Sequence, residues 1–69
     1  MLYLFLELTI EQIKAKIRFN RRLIAKLSAK RQENIQLYLL TGETIYMDRV
    51  MECDRMITDL CEELQLLCN

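Results

Sequence analysis

Residues 46–67 read YMDRVMECDRMITDLCEELQLL. Apolar side chains stand at Tyr46, Val50, Cys53, Ile57, Leu60, Leu64 and Leu67, spaced alternately four and three apart without a miss. That spacing is the signature of an apolar seam along an α-helix. Opposite the seam stand Asp48, Arg55 and Glu62, all charged, as the solvated back of such a helix requires. Neither Pro nor Gly interrupts the run. The pattern predicts a helix over about 44–68.

Working back towards the N-terminus, a second seam runs through Ile10, Ile13, Ile17, Asn20, Ile24 and Leu27, with one polar interruption at Asn20. Thr9 has the character of an N-cap, and Gln12 three residues later completes a capping box. Leu8 and Ile13 are placed for the accompanying hydrophobic staple, and Glu11 suits the positive end of the helix dipole. The seam positions beyond Leu27 are Arg31, Asn34 and Tyr38. Helix is predicted from Ile10 to about Arg31.

Between the two seams, residues 35–47 allow two readings. As helix, Ile35 and Tyr38 continue the apolar face to about residue 40, and Gly42 is the residue that accepts positive φ at the helix end, with Thr41 or Thr44 capping the next helix. As strand, IQLYLL and ETIYM flank a Thr-Gly turn in a β-hairpin. The helical reading is preferred, because a two-stranded ribbon alone is marginally stable. The expected fold is therefore all-α: an antiparallel helical hairpin, with helices at about 10–40 and 44–68 and a turn at Gly42, assembled into a dimeric four-helix bundle or a hetero-complex. The alternative is α+β with a β-hairpin at 35–47.

On the strand reading, Ile35, Leu37, Leu39 and Gly42 in IQLYLLTG resemble the first strand and turn of Sm-like RNA-binding proteins. The second-strand glycine of that family is missing, and no RNA-binding residue follows from the likeness. On the helical reading, Glu52-Cys53-Asp54-Arg55-Met56-Ile57 is similar to the end of the SQELDRLI motif of a group of small aspartyl-phosphate phosphatases. Val50 and Met51 stand where that motif has Ser and Gln. The Tyr-led seam after a glycine turn is similar to small co-chaperones of type III secretion needle subunits.

Sixty-nine residues are expected to make a single domain spanning 1–69. A core of that size is marginal by itself, and the hydrophobic fraction of 52% exceeds what one hairpin hides. The opening MLYLFLEL, residues 1–8, is almost wholly apolar, too short to span a bilayer and without a basic leader, so it is expected to act as a docking segment. Leu2, Tyr3, Phe5 and Leu6 from it, with Met47, Met51 and Cys61 from the second helix, are the candidate partner-binding residues. Methionine in particular suits surfaces that receive a partner.

The formal net charge is zero, but eight of the ten basic residues lie between Lys14 and Arg31 and seven of the ten acidic ones between Glu43 and Glu63. In a hairpin turning at Gly42, positions summing to about 84 face one another, which sets Arg31 beside Asp54 and Asn20 near Leu64. Complementary halves of one chain explain most of the asymmetry. The remaining basic face, Arg18, Arg21, Arg22 and Lys26 around Phe19, is a candidate nucleic-acid surface, since an aromatic among cations can stack a base.

There is no His, which excludes the usual Cys–His and Ser–His nucleophile arrangements. Cys53, Cys61 and Cys68 contain no CxxC pair, and residues eight apart on one helix cannot bridge. They lack a fourth soft ligand for zinc. Free thiols in a reducing cytoplasm are expected. No catalytic residue, metal or cofactor is predicted. The expected function is a small non-enzymatic protein–protein interaction module, an adaptor, regulator, inhibitor or co-chaperone acting through an apolar helical face as a homodimer or with an obligate protein partner. The alternative is an RNA-binding helical hairpin dimer that uses the basic face.

Overall fold

Thr9 opens the first helix as the sequence requires. Its backbone is extended (φ −73°, ψ 163°), and its hydroxyl accepts the Gln12 N–H at 3.1 Å while the Gln12 side-chain oxygen accepts the Thr9 N–H at 2.9 Å. The computed structural model of the protein describes residues 9–68. Within them the chain forms α1, Ile10–Thr41, and α2, Thr44–Cys68, packed against each other as an antiparallel hairpin. The apolar segment 1–8, with Leu2, Tyr3, Phe5 and Leu6, and the staple residue Leu8 lie outside the described residues.

Residues 35–41 continue α1 without a break, so the β-hairpin at 35–47 is not formed. The period-two run Ile35, Leu37, Leu39 fits either structure; the helix prevails because Asn34 and Tyr38 extend the α1 seam onto α2. The helix ends where glycine permits it. Gly42 takes the left-handed conformation (φ 71°, ψ 6°) and gives its N–H to the Tyr38 carbonyl at 2.7 Å. The Thr41 hydroxyl donates to the Leu37 carbonyl at 2.8 Å and accepts the Glu43 N–H at 3.2 Å, which ties the turn to both sides.

The burial pattern follows the two seams. Tyr46, Val50, Cys53, Ile57, Leu60, Leu64 and Leu67 are the inward positions of α2; on α1 they are Ile13, Ile17, Asn20, Ile24, Leu27, Arg31, Asn34 and Tyr38. Asp48, Arg55 and Glu62 are exposed on the back of α2. The register is fixed by the Arg31 guanidinium, which donates to the Asp54 carboxylate as expected, and by Lys16, whose ammonium lies 2.9 Å from Glu63. Both pairs are partly exposed, so each contributes at most about 1 kcal/mol.

The core is thin. Among the described residues only Leu27, Val50 and Cys53 are buried apolar residues, and no large side chain is fully enclosed. Two asparagines are buried as deeply as any of them: Asn20 at 2% exposure and Asn34 at 4%. Asn34 turns its amide back on its own helix, donating to the Lys30 carbonyl at 2.8 Å. The Asn20 amide nitrogen meets no acceptor among the described residues. The remaining seam residues are half-buried, which is what two helices without a third neighbour can achieve.

Candidate functional site

Two helices leave two flanks beside their shared seam, and the structure sorts the exposed side chains between them. One flank carries Leu23, Lys30 and Leu37 from α1 and Arg49, Met56 and Glu63 from α2. Its centre is a shallow groove lined by Leu27, Lys30, Arg49, Glu52, Cys53 and Met56. Phe19, Leu40, Ile45 and Leu66 stand just outside this flank, all exposed. The other flank carries Arg31, Ile35 and Leu39 from α1 and Met47, Met51, Asp54 and Cys61 from α2. The two will be referred to as the Met56 side and the Met51 side.

Of the candidate partner-binding residues within the described chain, Met47, Met51 and Cys61 all lie on the Met51 side, exposed to solvent. Met51 is the more open of the two methionines, with 62% of its surface accessible against 40% for Met47. They are separated along α2 by Asp54 and Thr58, so they form one row and not one patch. The Met56 side holds more. Of the nine exposed large hydrophobic residues among the described ones, five lie on it or at its rim: Phe19, Leu40, Ile45, Met56 and Leu66. Sequence reasoning missed four of these as interaction residues, because each is on the back or flank of its own helix when that helix is read alone. The signal was the register: at a sum of 84, Phe19 comes level with Leu66, and Leu40 with Ile45.

The basic face divides. Arg18, Phe19, Arg22 and Lys26 share one quadrant of α1, and two shallow depressions flank the Phe19 ring. One is lined by Ala15, Arg18, Phe19 and Arg22, and the other by Phe19, Arg22, Leu23 and Lys26. Arg21 lines neither and is turned towards the Met51 side. The Phe19 ring is 63% exposed among these cations. On α2 the guanidinium of Arg49 sits 5.7 Å from the Tyr46 ring centroid, close enough for cation–π attraction.

Cys53 is buried in the seam, while Cys61 and Cys68 are exposed, and all three are free thiols. Among the described residues, no group of His, Cys, Asp or Glu is placed to hold a metal ion, and no helix is long and apolar enough to cross a membrane.

These features define an all-α helical hairpin with a thin, partly polar core, two apolar flanks and a basic quadrant around one aromatic ring. Comparison with protein-family models, with curated proteins and with solved structures finds no match.

Proposed function

We propose that this chain is a small non-enzymatic protein–protein interaction module, an adaptor, regulator, inhibitor or co-chaperone that acts through an apolar helical face in the cytoplasm. The observation that carries the reading is the ratio of apolar surface to core. Among the described residues the buried apolar side chains are Leu27, Val50 and Cys53, while nine large hydrophobic residues are exposed. These exposed Phe, Leu, Ile and Met side chains stand on both flanks, and patches of that kind mark association surfaces. Free thiols suit a reducing compartment.

The test is direct. At tens of micromolar the full chain should either self-associate in light scattering or bind an apolar dye strongly. A dye-silent monomer would overturn the reading.

A second reading, RNA binding through Arg18, Phe19, Arg21, Arg22 and Lys26, is favoured by the exposed Phe19 ring between two cation-lined depressions. It differs in its response to salt. Backbone contacts by four cations would make affinity fall steeply as salt rises, while an apolar face would hold its partner.

A further inference from the structure

We infer that the Met56 side is covered by a second copy of this chain, about a two-fold axis that runs parallel to the helices and lays each α1 on the α2 of the other copy. The inference rests on the interaction reading above and names its partner. Two observations carry it: the opposite net charge of the two helices, and the match between the outer rows of this face.

α1 holds eight cations and two acids, a net charge of +6, and α2 holds six acids and two cations, a net charge of −4. Two copies can cover one face of a hairpin about a two-fold axis in two ways. An axis across the helices sets α1 on α1 and α2 on α2, so each helix meets its own charge. An axis along them sets α1 on α2 twice, and opposite charges meet at both contacts. Like-charge juxtaposition costs free energy and excludes the wrong alignment. An axis along the helices also removes the freedom to slide, since every residue keeps its level. The level pairing within one hairpin is thus repeated between the copies.

Along the outer rows, Phe19 of α1 comes level with Leu66 of α2, Lys26 with Asp59, and Leu40 with Ile45. Across the axis each of these meets its level partner on the other copy, and each pair occurs twice because an isologous interface repeats every contact. Apolar meets apolar at both ends, and cation meets acid between them. Phe19, Leu40, Ile45 and Leu66 are each exposed by half or more in the single hairpin. Lys26 and Asp59 make no ion pair there among the described residues. Glu33 comes level with Glu52 of the other copy, and each has a cation one turn away across the interface, Arg49 for Glu33 and Lys30 for Glu52.

The Met51 side offers no such match. There the same operation brings Arg21 level with Cys61 and Leu39 level with Thr44, and the acid on that part of α2, Asp54, already holds Arg31. Packing two Met56 sides makes a four-helix bundle in which every neighbouring pair of helices is antiparallel.

Sedimentation of the full chain tests this. The unmodified protein should be a dimer at tens of micromolar. Leu39 and Leu40 are neighbours at one helix end, 76% and 83% exposed, and stand towards opposite sides. Leu40→Glu should raise the dimer dissociation constant roughly tenfold or more with the helical circular dichroism signal retained, while Leu39→Glu should leave it within about twofold. Lys26→Glu and Asp59→Lys should each weaken the dimer roughly fivefold or more. Mixed in equal amounts, the two variants should associate to within about twofold of the unmodified protein, because only unlike chains restore both charge pairs. Such rescue has to cross between chains. In the alignment of α1 on α1 about an axis near Met56, Asp59 would instead face Glu52 of the other copy, and Asp59→Lys would tighten the dimer. A monomer that still binds apolar dye would overturn the second copy as occupant and leave the interaction reading standing. A dye-silent monomer would overturn both. A dimer that survives Leu40→Glu unchanged would reject this face. Charge variants without effect, a tighter Asp59→Lys dimer, or a mixture no tighter than its parts would reject the laying of α1 on α2.

Discussion

Asn20 and Asn34 are two heptads apart on the same seam, and they replace what would otherwise be two leucines in a core of three apolar residues. A buried asparagine costs stability and in return penalises other registers. The two are not equivalent. Asn34 satisfies its amide nitrogen on the Lys30 carbonyl, whereas the Asn20 amide nitrogen is desolvated without return. Asn20→Leu is therefore expected to stabilise the hairpin by about 1–2 kcal/mol in urea unfolding, and Asn34→Leu by less, because only the second forfeits a hydrogen bond. Equal gains would mean that the Asn20 amide finds a partner in solution. Leu60 sits on the α2 seam but is half-buried. Truncation to Ala should cost about 2 kcal/mol, the low end for a core leucine, and Arg55→Ala on the exposed back about 0.5 kcal/mol or less.

At the scale of the elements, the helix ends were the most legible part of the sequence. Thr9 with Gln12, and Gly42, are side chains or a missing side chain that only one local geometry satisfies. Residues 35–40 were less legible: the helical reading was the preferred one and is what forms, but an apolar run with period two inside a helical seam supports both periods, and contact with α2 breaks the tie. The candidate site was half legible for a related reason. Met47, Met51 and Cys61 widen the α2 seam and can be read from one helix, whereas Phe19 and Leu66 become neighbours only once the register sets them level. Gly42 offers the cleanest test at this scale. A Cβ there meets nothing within 4 Å, so its φ of +71° is the sole obstacle to a side chain. Gly42→Ala should lower stability by about 1 kcal/mol through backbone strain alone, with Gly42→Asn costing less since asparagine tolerates the left-handed region. Equal losses for the two in thermal melts would point to a steric cause instead.

Taken whole, the molecule is a polar-cored hairpin with opposed charge on its two backs: basic on α1, acidic on α2. The ion pairs between the helices, Lys16–Glu63 and Arg31–Asp54, are partly exposed and contribute little. Stability should thus come mainly from association. If it does, the melting temperature depends on protein concentration and rises by about 5 °C for each tenfold increase, the slope expected for a dimer of this size. A melting temperature independent of concentration between 2 and 200 micromolar (roughly the accessible range by circular dichroism) would show a hairpin that is stable alone. The two helices hold 32 and 25 residues, so the circular dichroism signal should correspond to at least 57 helical residues of 69.

The two-residue turn carries one more implication. A helical hairpin with a short loop is open to domain swapping, in which the turn straightens, α1 runs into α2 as one rod, and two rods exchange halves. Here the heptad count does not run through the turn. Counting in sevens from the α1 seam residue Asn34 leads to Thr41 and Asp48, not to Tyr46 or Cys53. The α2 seam is out of step by two residues, which on a continuous helix would swing it roughly 150° around the axis from the α1 seam. A straightened rod would present its two apolar stripes on nearly opposite sides, and no single partner rod could cover both. The reversal at Gly42 is thus written twice, once in the left-handed glycine and once in the slipped phase of the seams, and weakening the first leaves the second in force.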